Sequence, residues 1–341
     1  MRENGRIVAV ILFVSLDMFL LWSAIESIEG DYHSSRPAAR LPVVPSIRPE
    51  QMLAFSTLRT AGVALPSSQQ LPTRSDISSQ YGDTPVGSND EACQEYRRLV
   101  PKSQRFLAVA GLFNTGTHLL GNLLVRNCQI DGHVKGTGMR MVVPWGKHNP
   151  PLTHRLRNVA KVGGKGVNQT SVLPVVVVKD PYHCSHWLHD SDHCPAIVNW
   201  NTIAPNAVTV KYALDFKNYK SHIEFWNEWN REYINASFPA IFVRFEDLLF
   251  DAERAITGLC KCVEGRRRRG GFRYVEESAK NSSTVSHQGA NGLLSAIMRY
   301  GNPQKRLEGW TKEDWIYARD HLDWEIMARF KYSLPKWPGV Q

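Results

Sequence analysis

The sequence lacks several features that would fix its chemistry at once. No pair of Cys-x-x-Cys motifs is present, which speaks against a structural zinc. No basic run is interleaved with aromatic residues, so nucleic acid is not an expected partner. The most informative gap is at positions 117 and 118. Gly111 and Gly116 are separated by four residues, as in a Walker A loop, but Thr117 and His118 follow them. A Mg-ATP loop needs Lys and then Ser or Thr in those places. The stretch is therefore suited to a phosphate but not to Mg-ATP.

What is present gives that loop a context. Residues 106–110 read as a buried strand, 111–117 as a glycine-containing turn and 118–125 as the body of an amphipathic helix that runs to about Asn127. A strand, a loop and a helix N-terminus direct unpaired N–H groups and the positive helix end at one point. Val172–Val178 is a continuous apolar run, the pattern of a strand buried on both faces, and it ends in Lys179-Asp180-Pro181. Residues 239–245 read as another buried strand, with Glu246-Asp247-Leu248 opening a helix that continues around residues 251–259. Further helices are expected from Asp90 to before Pro101, over 215–236 and over 308–330. Strands alternating with helices predict a three-layer α/β fold with a mainly parallel central sheet. Ligands of such sheets bind at the carboxyl ends of the strands. The polar segment from His133 to Pro151 is expected to line that site.

The 341 residues carry a formal charge of +9, which favours anionic partners. Arg266–Arg269 contributes to it and reads as a solvated loop. Residues 7–25 are almost unbroken in apolar character and as a helix would span about 28 Å. Arg2 and Arg6 precede this stretch and acidic residues follow it, the charge order of an anchor with its N-terminus in the cytosol. A cleaved signal peptide is the competing reading. The expected layout is a cytosolic tail (1–6), a transmembrane anchor (7–25), a largely disordered stem (26–100) and a luminal domain (101–335). Sequons at Asn168, Asn235 and Asn281 agree with a luminal address. So do six cysteines, all beyond the anchor. Cys184 and Cys194 are the expected pair. Cys260 and Cys262 are too close to bridge one another, so each needs a partner elsewhere.

Three motifs on strand ends together resemble the membrane-anchored, PAPS-dependent sulfotransferases of the Golgi, over roughly residues 103–333. The first is Asn114-Thr115-Gly116-Thr117, in the place of that family's 5′-phosphosulfate loop. The second is the strand ending in Lys179-Asp180-Pro181, where the family has Arg-Asn/Asp-Pro for the 3′-phosphate. The third is Arg244-Phe245-Glu246-Asp247-Leu248. The resemblance implies a P-loop-related sulfotransferase fold, PAPS as co-substrate without a metal, and a carbohydrate acceptor bearing a hydroxyl or amine. It also implies a single-pass type II Golgi membrane protein. The departures are specific. Asn114 replaces a Lys or Arg that serves the transferring sulfuryl group. Trp187 stands where the family has a serine for the 3′-phosphate, with Ser185 nearby. Lys179 keeps the charge of Arg but not its fork.

The resemblance assigns Asn114, Thr115, Gly116, Thr117 and His118 to the phosphates, and Lys179 and Ser185 to the 3′-phosphate. Arg299, Lys305 and Arg306 fall in the late loop that closes over the nucleotide. Lys147-His148-Asn149-Pro150 resembles the Lys-x-His-x-Pro segment of cytosolic relatives. His148 is the expected base, His118 its rival, and Lys147 a replacement cation for Asn114. Two other readings stay open. Asp190-Ser191-Asp192, an Asp-x-Asp, is the manganese motif of type II glycosyltransferases, and it lies in a stretch with His183, His186, His189 and His193. Alternatively, the fold binds its ligand without turnover.

Overall fold

The computed structural model describes residues 71–86, 90–132, 137–155, 167–183, 207–212, 215–275 and 292–338. Its centre is a four-stranded, all-parallel sheet with helices around it, an α/β architecture compatible with three layers. The strand order is β3 (Met139–Arg140), β1 (Phe106–Gly111), β4 (Val172–Val178) and β7 (Ile241–Arg244). Strand β1 runs in register with β4 from Phe106 opposite Val172 to Gly111 opposite Val177. Strand β7 joins from Val175 opposite Ile241 to Val178 opposite Arg244. Every residue of β4 and β7 is buried, which is why β4 reads as an unbroken apolar run and β7 as one up to Arg244. All three long strands end at the same edge, so residues 111–118, Lys179 and Phe245 meet there.

Helices α1 (Arg74–Tyr81), α2 (Asp90–Leu99) and α3 (Thr117–Asn127) come first in the chain. The single turn α4 (Pro151–His154) follows, then α5 (His222–Ile234), α6 (Phe245–Phe250) and α7 (Ala252–Cys262). The last are α8 (Gly292–Tyr300), α9 (Lys312–His321) and α10 (Trp324–Arg329). Strand β2 (Cys128–Gln129) pairs antiparallel with β8 (Arg266–Arg267), and β5 (Val208–Lys211) with β6 (Phe216–Tyr219). The sulfurs of Cys93 and Cys262 are bonded, as are those of Cys128 and Cys260. Cys260 and Cys262 thus have separate partners, as their spacing requires. Cys184 and Cys194 lie outside the described residues, as do 7–25 and Ser185. Among the described residues no helix is long and apolar enough to cross a membrane.

Four expectations need correction. The described residues from Leu71 onward are packed, although they fall inside the segment expected to be a largely disordered stem. Thr73 forms a reciprocal capping box with Asp76, and Ile77 and Tyr81 are buried in the core. Residues 215–236 are not one helix. Phe216–Tyr219 is a strand with alternating exposure, and the helix starts only after Ser221, whose hydroxyl accepts from the Glu224 N–H. The expected helix over 308–330 is two helices, because Asp323 accepts from Glu325 and Ile326 and starts a new one. Finally, α8 was not anticipated at all.

Arg244 fastens the N-terminal segment to the sheet. Its guanidinium, 1% exposed, donates to both carboxylate oxygens of Asp247, at 2.9 and 2.6 Å. The same side chain donates to the carbonyls of Tyr81, Thr84 and Phe330. Asp247 also accepts from the Val86 N–H. Removing one member of a buried, hydrogen-bonded pair strands the other charge. Arg244→Ala is expected to destabilise the fold by about 3–5 kcal/mol, and Arg244→Lys to recover less than half of that loss. Urea unfolding of the three proteins measures this. An unchanged midpoint for the alanine variant would remove Arg244 from this role.

Candidate functional site

The loop after β1 is built from two left-handed residues. Asn114 has φ +56° and Gly116 φ +86°. Asn is one of the few side chains that tolerates this region. Gly116 is required for a second reason. A Cβ there would lie 2.4 Å from a ring carbon of Phe245. Helix α3 begins at once, with Leu120 donating to the Gly116 carbonyl. The N–H groups of Gly116 and Thr117 donate to no protein acceptor among the described residues. A helix of 11 residues thus opens with donors facing the strand-end edge. The two threonines act differently from expectation. The Thr115 hydroxyl donates to the Leu112 carbonyl at 2.8 Å and is 1% exposed, so it closes the loop from within. The Thr117 methyl packs close against Gly111.

The segment after β3 delivers His148 to the loop. It runs beside β1, with Leu107 donating to Gly138, Val143 to Val109, and Gly111 to Lys147 at 2.8 Å. The imidazole of His148 stacks on Phe113, centroids 4.4 Å apart, and its Nδ1 lies 2.7 Å from the Gly111 carbonyl oxygen. A carbonyl only accepts, so Nδ1 carries the proton and Nε2 is the basic nitrogen. The Trp229 indole N–H holds the His148 backbone carbonyl at 3.0 Å. The Lys147 ammonium is 3.0 Å from Nε2 of His118 at the start of α3. An ammonium only donates, so this nitrogen of His118 accepts and is engaged.

Lys179, at the end of β4, is 4% exposed. Its ammonium donates to the Tyr300 hydroxyl at 2.7 Å and lies over the rings of Tyr300 and Phe245, 4.4 and 4.8 Å from their centroids. It forms no ion pair with a carboxylate among the described residues. Phe245 also touches Gly116, so the buried ammonium and the loop contact the same ring. Asn114, Thr115, Gly116, Thr117, His118, Lys147, His148 and Lys179 therefore gather at one edge.

The late-loop residues divide. Arg306 is buried at 3% exposure and does not face a nucleotide. It donates to Asp180 at 2.6 Å and to Ser333, tying the C-terminal segment to the end of β4. Lys305 is exposed, and Arg299 is half-buried on α8. Sequence reasoning missed Phe245 as the wall of the loop, although it sits inside a recognised motif. It also missed Tyr300, Trp229 and Phe113, which carry no local signal. Asp190, Asp192, His186, His189 and His193 lie outside the described residues. His183 is buried against Tyr81, its Nε2 2.8 Å from the hydroxyl. Among the described residues no three His, Cys, Asp or Glu side chains are grouped to hold a metal.

Beneath Lys179 lies a second charged layer. Glu246 accepts from the Asp180 N–H at 3.1 Å and from the Tyr332 hydroxyl at 2.7 Å, with no exposure. Burial, then the neighbouring Asp180, pushes its carboxyl up to about 7. Burial likewise lifts the phenols of Tyr81 and Tyr332 well above the ordinary range.

Two predictions follow from this geometry. The folded protein holds the Glu246 proton more tightly than the unfolded chain. Between the ordinary value of 4.5 and about 7, the native state therefore binds the extra proton, and stability falls as pH rises. The loss is on the order of 3 kcal/mol and is complete above that window. Glu246→Gln, which mimics the protonated acid, is expected to flatten this slope in unfolding measured from pH 4.5 to 7.5; an unaltered slope would count against it. Gly116→Ala is expected to lose about 1–3 kcal/mol from left-handed strain and displacement of Phe245, read as a lowered melting temperature.

Comparison with known proteins finds no matching family model and no matching curated protein.

Proposed function

We propose that the protein transfers a sulfuryl group from PAPS to a hydroxyl or amine of a carbohydrate in the lumen of the Golgi, on a P-loop-related sulfotransferase fold. The observation that carries this reading is a buried lysine with no carboxylate partner among the described residues, sharing the Phe245 ring with Gly116 at the start of a helix. A buried ammonium is costly unless an anion joins it, and a loop of N–H groups at a helix start favours the same ligand. Two anion positions on one edge suit a nucleotide phosphorylated at both ends of its ribose. The backbone of residues 114–118 would hold the 5′-phosphosulfate and Lys179 the 3′-phosphate.

The acceptor hydroxyl passes its proton to Nε2 of His148 while its oxygen bonds to sulfur. The bond from sulfur to the phosphate oxygen breaks, and the negative charge leaves on 3′,5′-ADP. Proximity and a positioned base carry most of this step. His148 is oriented through Nδ1 by the Gly111 carbonyl, and Nε2 is the nitrogen assigned to take the proton. Lys147 supplies positive charge beside the helix start, where Asn114 offers only an amide.

Asn114 also supports a second reading, a fold that binds the nucleotide or a sulfated sugar without turnover. Calorimetric titration of the full chain with 3′,5′-ADP in EDTA tests the site. Binding is expected, and Lys179→Ala is expected to weaken it about 10–100-fold, the worth of a charged hydrogen bond. No binding would overturn the proposal. Transfer of labelled sulfate to a panel of glycans then separates the two readings. His148→Ala is expected to slow transfer by about 10²–10⁴-fold while leaving 3′,5′-ADP affinity unchanged. Transfer at the parent rate would strip His148 of its role.

A further inference from the structure

The arginine run at 266–269 is not a loose solvated loop in the structure. It is pinned on three sides. Arg266 and Arg267 form β8 against β2. The Arg268 N–H donates to the Asn127 carbonyl. The Asn127 side chain bridges both backbone groups of Arg273, at 2.7 and 2.9 Å. The Cys128–Cys260 disulfide lies directly under the turn: a Cβ on Gly265 would sit 2.8 Å from one sulfur and 3.0 Å from the other.

Six exposed arginines gather on this frame: Arg126, Arg266, Arg267, Arg268, Arg269 and Arg273. Two are balanced, Arg266 by Asp131 at 2.7 Å and Arg267 by Glu253 at 2.6 Å. Among the described residues the other four form no ion pair with a carboxylate. Arg126 and Arg268 instead lie along backbone, donating to the carbonyls of Tyr274 and Val125. These bonds use one edge of each guanidinium and hold the side chain in place. The cluster sits at the C-terminal end of α3, and the anion loop sits at its N-terminal end, about 16 Å away along an 11-residue helix.

We propose that this surface is an exosite for a linear polysaccharide bearing sulfate or carboxylate groups, separate from the loop site. Arginine forks match oxyanions in a way that lysines do not. Phe272 is buried and Tyr274 half-buried, their rings packed on each other, so no aromatic face is offered to a nucleobase. Among the described residues no exposed large apolar side chain belongs to the arginine-bearing segments themselves, whereas a bilayer site needs an apolar wedge. The inference does not depend on what the loop binds.

The test is binding of the full chain to fluorescein-labelled heparin oligosaccharide, followed by anisotropy in about 0.15 M salt. Replacing Arg126, Arg268, Arg269 and Arg273 by Ser is expected to weaken binding about tenfold or more, through lost phosphate-like contacts and counterion release. The double variant Arg269→Ser with Arg273→Ser removes side chains that make no hydrogen bond or ion pair among the described residues. It guards against misfolding and is expected to show a smaller loss in the same direction. A matched control removes four exposed cations elsewhere, Lys211, Lys220, Lys312 and Lys336, and is expected to bind like the parent. Equal loss in the control and the four-arginine variant would overturn the proposal. So would failure of the parent to bind heparin. Tighter binding to a single-stranded oligonucleotide or to phosphatidylserine vesicles at the same salt would also overturn it.

Discussion

Arg244 is the interaction on which the site's architecture depends. It sits where β7 turns into α6, and its five donors reach three stretches of chain. One is the Asp247 carboxylate in its own turn. Another is the segment 81–84, more than 150 residues earlier. The last is the Phe330 carbonyl near the C-terminus. The position is buried, so each carbonyl needs a donor and the guanidinium needs each acceptor. Phe245 is the next residue along, and Phe245 forms the wall of the anion loop. Fixing Arg244 therefore fixes the ring that both Gly116 and Lys179 touch.

The buried charges near the strand ends come close to balance. Arg244 faces Asp247 and Arg306 faces Asp180, which leaves Lys179 and Glu246. With Glu246 protonated, the set carries one excess positive charge, on Lys179 beside the loop. With Glu246 ionised, the set is neutral. A carboxyl pushed up to about 7 stands near the boundary between these two states. An anion entering beside Lys179 adds negative charge to the same set and favours the protonated form of Glu246. The arrangement links the polarity of the strand ends to proton uptake in the layer beneath.

Much of this site was legible where local chemistry decides it. Residues 172–178 are apolar throughout because both faces of β4 are covered, and the break at Lys179-Asp180-Pro181 marks the strand end. The glycine spacing of 111 and 116 marks the loop, and the Arg244 motif marks the third strand end. Long-range pairing left no such trace. Arg306 looks like a surface arginine until Asp180, 126 residues away, is placed against it. Tyr300 gives no hint that it caps Lys179. The apolar and aromatic positions 216, 219, 223 and 226 fit a helical period, yet the first two belong to a hairpin whose partner strand lies at 208–211. The helix Arg74–Tyr81 was hidden by a polar composition. It is held by its capping box and by Arg244 rather than by a strong apolar face of its own.

The two disulfides impose an order on the making of this chain. Their closing cysteines are two residues apart on α7, and their partners lie 169 and 132 residues earlier. Neither native bond is available to a growing polypeptide until Cys260 has been synthesised. Cys93 and Cys128 leave the ribosome much sooner, with Cys184 and Cys194 between them and their true partners. Any bridge that Cys93 or Cys128 forms before then is non-native and must be undone by thiol–disulfide exchange. The native covalent frame therefore depends on a stretch of chain made after all four strands of the central sheet.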